Sequence, residues 1–152
     1  MKLGNKAINL KHLSILAYLI LGLSAIGLFE IHALFGNGFI SILIQVIGFG
    51  LMVWARVTFG WRSFHPGANS TKGGLVTSGP YHYIRHPIYS GIILFLWTGI
   101  ISHLSFLSVL VGIVATGAVL LRVFSEEKLI ILTYPEYKQY AEKTKRFIPF
   151  LI

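Results

Sequence analysis

Two apolar runs, Leu13 to Phe35 and Phe39 to Phe59, are separated only by the turn Gly36-Asn37-Gly38. As a helix rising about 1.5 Å per residue, each run is long enough to cross the ~30 Å hydrocarbon core of a bilayer. Gly-Asn-Gly breaks periodic structure, so the second run is predicted to return through the membrane. Composition points the same way. Apolar residues make up 55% of the chain and charged residues 12%, against the roughly 25% charged that a soluble domain carries. So few charges cannot solvate a globular surface, whereas lipid does not penalise apolar exposure.

The rest of the chain extends this plan. A third apolar region, Ile88 to Val123, is too long for one helix, and His103 between Ser102 and Leu104 marks a turn. The expectation is an all-α, polytopic protein with about four transmembrane helices, near 13–35, 39–59, 88–101 and 104–124. A polar loop over 60–87 and a C-terminal segment over 125–152 complete one domain, with Ser125 to Tyr140 predicted as a helix reaching into water. The basic flank Lys2, Lys6, Lys11 precedes an apolar run too long for a signal peptide, so the first helix is expected to stay as an anchor. The chain has no cysteine, which excludes disulfides and thiolate metal sites.

The net charge of +8 does not indicate a nucleic-acid partner, because the bases are confined to short segments between apolar runs. Three cations precede helix 1, four lie from Arg56 to Arg85, and six follow from Arg122 onward, while the two turns on the other side hold none. The positive-inside rule then places both termini and the long loop in the cytoplasm.

Polar groups at a membrane boundary are costly unless solvated or used. The richest stretch is Gly79-Pro80-Tyr81-His82-Tyr83-Ile84-Arg85-His86-Pro87-Ile88-Tyr89-Ser90-Gly91. Pro87 suits the first turn of a helix, where its missing N–H is no loss. The unpaired amides of that turn and the positive dipole end face the loop, and suit an anionic or hydroxyl-rich group. Arg122 and Glu126, four apart, share a helix face and suit a ligand of mixed polarity; Glu127 follows. Plainer roles compete. Arg85 and Arg122 also suit positive-inside anchors, Arg122 with Glu126 a surface ion pair, and Tyr81, Tyr83 and Tyr89 an interfacial belt. Glu30 and His32 suit the headgroup region, and His65-Pro66-Gly67 a turn. His82 and His86 have the spacing of two metal ligands, but no Glu accompanies them and Pro87 disfavours helix there, so no metal site is expected.

These residues carry a resemblance. Arg56 to Gly60 with Trp61, then Leu75-Val76-Thr77-Ser78-Gly79-Pro80-Tyr81, Arg85-His86-Pro87-Ile88-Tyr89-Ser90-Gly91, Glu126-Glu127, and Tyr134-Pro135-Glu136-Tyr137 with Tyr140, Arg146 and Pro149 resemble the isoprenylcysteine carboxyl methyltransferases and their bacterial relatives, close to the phospholipid N-methyltransferases. The resemblance implies S-adenosylmethionine as methyl donor and a lipophilic small molecule or lipid as acceptor, in a prokaryotic cytoplasmic membrane. It implies that Gly73, Gly74, Leu75, Val76, Tyr81, His86, Pro87, Ile88, Tyr89 and Glu126, with Glu127 as the alternative to Glu126, line the cofactor, with loop and C-terminal helix forming its pocket. Arg122 would face the substrate and act in catalysis with Arg85. A prenylated protein as substrate is not implied, and the oligomeric state is left open. A nicotinamide-dependent membrane reductase and a non-catalytic membrane adaptor are the competing classes.

Overall fold

The computed structural model describes residues 2–60 and 74–148, the first five of these by backbone alone. Trp61, the His65-Pro66-Gly67 turn, Gly73 and Pro149 lie outside the described residues. The chain forms helices α1 (Lys2–Glu30), α2 (Phe39–Phe59), α3 (Pro87–Ser102), α4 (Phe106–Thr133) and α5 (Tyr137–Lys143), with one 3-10 turn at Gly79–His82. Among the described residues there is no strand, only an isolated parallel bridge between Ile84 and Lys145. Segments Ala7–Glu30, Phe39–Phe59 and Phe106–Thr133 are long and apolar enough to cross a membrane, and Pro87–Ser102 is a shorter apolar helix. The protein is an all-helical, polytopic membrane protein.

Burial is inverted relative to a soluble fold. Leu23, Phe39, Ile40, Val57 and Phe106 are among many large apolar side chains left exposed, as expected where lipid is the solvent. Inside, α1 packs along α4 and α2 along α3, and α3 joins the two pairs through its contact with α4. Leu21, Leu28, Leu96, Ile100, Ala118, Val119 and Val123 form the main core.

Lipid gives helices little hydrophobic reason to associate, so close approach and buried hydrogen bonds hold them instead. Gly91 of α3 meets Gly48 of α2. A Cβ at 91 would lie 2.6 Å from the Gly48 carbonyl oxygen and 2.6 Å from Met52 Cγ. Backbone cannot yield as a side-chain tip can, so Gly91→Ala is expected to cost about 1–3 kcal/mol. Thermal unfolding in detergent measures this, and an unchanged midpoint would show that the two helices are not held at this distance. Gln45 is the polar counterpart. Buried on α2, it accepts from Gly36 N at 2.8 Å and donates to the carbonyls of Leu34 at 2.9 Å and Phe95 at 3.0 Å. One amide thus ties the first turn to α2 and α3.

Helix boundaries depart from the apolar runs. α1 ends at Glu30 instead of residue 35, because His32 adopts a left-handed φ of 55°. His32 N–H then donates to the Phe29 carbonyl at 3.0 Å and Ala33 N–H to that of Leu28 at 2.8 Å, a Schellman stop with buried Leu28 and Ala33 as its apolar pair. At its other end α1 starts at Lys2 and not residue 13; helix continues beyond the apolar run, where Leu10 packs on Leu129 of α4. The expected helix over Ser125 to Tyr140 is not a separate element. α4 starts at Phe106, two residues later than expected, and runs unbroken to Thr133. The helix stops there because Pro135 disfavours helical backbone at Tyr134. α5 covers only Tyr137–Lys143.

Candidate functional site

Pro87 opens α3 with His86 as its N-cap, as the proline's fixed φ and missing N–H favour. The residues after α5 run back beside the residues before α3. Arg85 N–H donates to the Lys145 carbonyl at 2.7 Å and His86 N–H to that of Arg146 at 3.0 Å. Ser90 Oγ donates to the Phe147 carbonyl at 2.8 Å, and Tyr140 O–H to that of Tyr81 at 2.5 Å. The loop end, the start of α3 and the C-terminal segment therefore form one unit.

Glu127 is its centre. Its Oε1 accepts from Arg85 Nε at 3.0 Å and Tyr137 O–H at 3.3 Å, and lies 3.2 Å from His86 Nε2. Its Oε2 accepts from Arg146 Nη2 at 2.9 Å and Arg146 Nε at 3.1 Å. Arg85 also donates to the carbonyls of Thr144, at 2.8 Å, and of Ala141. These contacts use up the roughly four acceptor sites of a carboxylate, so Glu127 fastens chain segments together.

Glu126, one residue earlier and about 100° around the helix, has other neighbours. Its Oε1 accepts from Tyr89 O–H at 2.6 Å and lies 3.1 Å from Arg122 Nε. Arg122 Nε also donates to the Tyr89 oxygen, and Arg122 Nη1 to the Ser14 carbonyl at 3.2 Å. The Tyr18 ring centroid lies 5.0 Å from the guanidinium carbon. The two clusters touch where the His86 and Tyr89 rings sit 5.8 Å apart.

The phenols of Tyr81, Tyr137 and Tyr140, outside the spans, are held neutral. Burial pushes Tyr81 well above its ordinary pKa, with the Glu126 charge and the Tyr140 phenol adding and Arg56 opposing. Burial does the same to Tyr137, reinforced by the Glu127 charge, and raises Tyr140. These groups stay hydrogen-bond donors throughout the physiological range. Arg146 is pushed up by its hydrogen bond to Glu127 and by that residue's charge.

Among the expected site residues, the structure gathers His86, Pro87, Tyr89, Arg122 and Glu126 at one end of α3 and α4. Tyr81 lies within electrostatic reach of Glu126, with its ring 5.6 Å from that of Phe59. Ile88 sits in the first turn of α3. Gly74, Leu75 and Val76 lead in as irregular chain, Gly74 at a φ of 83°. Arg85 reaches Glu127 and the C-terminal segment. Sequence reading did not single out Ser14 and Tyr18, since α1 read only as an anchor. Nor did it assign Tyr137 and Arg146 to Glu127, for no spacing links residues brought together by a chain reversal. The i,i+4 geometry of Ser14 and Tyr18 was the one available signal.

The chain belongs to the isoprenylcysteine carboxyl methyltransferase family, whose sequence pattern matches residues 39–132. It is also 28% identical over 130 residues to the nickel-cobalt-cadmium resistance protein NccN of Alcaligenes xylosoxydans xylosoxydans, covering 79% of this chain and 56% of that protein. The chain thus spans just over half the length of this curated relative. No solved structure matches it.

Proposed function

We propose that the protein transfers a methyl group from S-adenosylmethionine to a lipophilic acceptor at the membrane surface, with the cation-rich side, loop and termini in the cytoplasm of a prokaryotic cell. The observation that carries the reading is the meeting of Tyr89, Arg122 and Glu126 beside a proline-started helix. The donor, when bound, supplies an activated methyl group on a sulfonium.

The residues present fit such a group. Two donors at Glu126 leave acceptor capacity for ribose hydroxyls. The first-turn amides of α3 at Ile88 and Tyr89 have no intrahelical acceptor to donate to, and suit a carboxylate. The faces of Tyr81 and Tyr89 suit a sulfonium, with Gly74, Leu75, Val76, His86 and Pro87 as the remaining wall. Arg122 would hold an anionic acceptor group in line with the methyl, so that orientation and exclusion of water supply most of the rate. Arg85 would act at a distance, keeping the C-terminal segment in place through Glu127. With no evident general base, a carboxylate or thiolate is a better acceptor than an amine.

The name of NccN refers to resistance to nickel, cobalt and cadmium. Among the described residues, no three His, Asp or Glu are grouped to hold an ion. The reading for this chain rests on family and site instead. Isothermal titration of the purified protein with S-adenosylhomocysteine tests it, followed by transfer of labelled methyl groups into total membrane lipids. Saturable binding at a single site is expected. A thermal shift with reduced nicotinamide and none with S-adenosylhomocysteine would sink the reading.

A further inference from the structure

Lys128 interrupts an apolar stripe. Leu120, Phe124, Lys128 and Leu132 of α4 are spaced four apart and share one helix face. All four are exposed, the three apolar ones by about half. Exposed apolar surface on this helix meets lipid, and Leu132 continues the stripe one turn beyond the cation, toward the C-terminal end of α4.

A lysine near a membrane boundary ordinarily extends outward to water. Lys128 turns the other way. Its Nζ lies 4.2 Å from the centroid of the Phe124 ring, one turn back along the stripe. No acid stands three or four residues from it. Its acidic neighbours in sequence are engaged elsewhere, Glu126 by Arg122 and Tyr89, Glu127 by Arg85 and Arg146. Among the described residues, no ion pair includes Lys128. A cation held against a ring at lipid depth is costly without an anion beside it, and this ammonium has three N–H groups to offer one.

The seam between α1 and α4 supplies the rest of a site. Leu10 packs on Leu129, which sets Asn9 and Lys128 at nearly the same height on the two antiparallel helices. The contacts of Leu10 with Leu129 and of Ser14 with Arg122 fix the faces that the helices turn to each other. Counted at 100° per residue from those faces, Asn9 and Leu13 of α1 and Leu121 and Lys128 of α4 fall on one side of the pair. Tyr18 falls on the other, with its ring against Arg122. Asn9 is exposed, and Leu13 and Leu121 are half-buried.

We propose that this side of the α1/α4 seam binds one anionic phospholipid, with its phosphate on Lys128 Nζ and its chains along Leu13, Leu121 and Phe124. The Phe124 ring holds the ammonium at the depth of the phosphodiester, and the Asn9 amide is a second donor at that level. Glu126 lies about 200° around α4 from Lys128, so the lipid is a bound partner separate from the methyl-transfer site. The inference stands whether or not the methyl-transfer reading does.

The test uses the full chain in detergent with phosphatidylglycerol and phosphatidylcholine as parallel probes. Native mass spectrometry counts bound lipid and a thermal scan reads its effect. Wild type is expected to retain one phosphatidylglycerol at concentrations where phosphatidylcholine is lost, and only the anionic lipid should raise the midpoint. Lys128→Gln should weaken phosphatidylglycerol binding about fivefold, the effect of one lysine beside an anionic leaflet, and should leave affinity for S-adenosylhomocysteine unchanged. Lys138→Gln, at an exposed position on α5, should bind both lipids as wild type does. A Lys128→Gln protein that keeps the wild-type preference overturns the proposal. So does an equal response to phosphatidylcholine, or an equal loss in Lys138→Gln, which would mark a diffuse surface charge. A midpoint rise reproduced by inorganic phosphate alone would replace the lipid by a free anion and overturn it too.

Discussion

Glu127→Gln is expected to lower the stability of the unliganded protein by about 3–5 kcal/mol, the usual cost of removing one partner from a buried ion pair. The arrangement around the side chain sets this size. Arg85 is 9% exposed and donates to Glu127 from one side, while Arg146, 52% exposed, donates from the other. The Arg146 contact is solvent-screened and adds little; the loss comes from Arg85, left as a buried cation without its anion. Glutamine also turns an –NH2 toward groups that are themselves donors, which adds repulsion to the lost charge. The damage should be directional. The segment after α5 is held to the start of α3 through this carboxylate, so it should loosen first. Lys145 in it, and Lys138 and Lys143 in α5 just before it, are exposed and offer trypsin its sites. Thermal unfolding in detergent and limited trypsin digestion read the two effects. A variant with the wild-type midpoint and digestion pattern would remove Glu127 from the role assigned to it.

Glu126→Gln should behave in the opposite manner. Its amide oxygen can still accept from Tyr89 and Arg122, so the midpoint should fall less than in Glu127→Gln. Affinity for S-adenosylhomocysteine should drop about 10–100-fold, since a hydrogen bond to a charged acceptor contributes about 1.5–3 kcal/mol and 1.4 kcal/mol is tenfold. Titration calorimetry on both variants at matched folded fraction separates the roles. If Glu127→Gln loses the ligand at full stability while Glu126→Gln keeps it, the two assignments must be exchanged.

Adjacent residues with different partners mark the limit of sequence reading. Arg122 and Glu126 were legible as a pair from their spacing alone, and the structure joins them at 3.1 Å. Pro87 was legible as the start of a helix. The choice between Glu126 and Glu127 was not. On a helix they point about 100° apart, and what each meets depends on where the chain returns after Pro135. Arg85 shows the same limit. Its place in the signature suggests a site cation, yet its guanidinium is spent on Glu127 and on the carbonyls of the C-terminal segment.

From the sequence alone, the membrane as solvent, the apolar helices with the breakers between them and the end that gathers polar groups could be determined. Those properties follow from hydropathy and breaker residues, which act locally along the chain. Tertiary structure alone decided that α1 lies against α4 and brings Ser14 and Tyr18 to Arg122, that Gln45 ties the first turn to α3, and that Glu127 fastens the C-terminal segment while Glu126 meets Tyr89 and Arg122. Helices in lipid choose partners by close packing and buried hydrogen bonds across distant segments, and neither leaves a periodic trace in the residues of one strand of sequence.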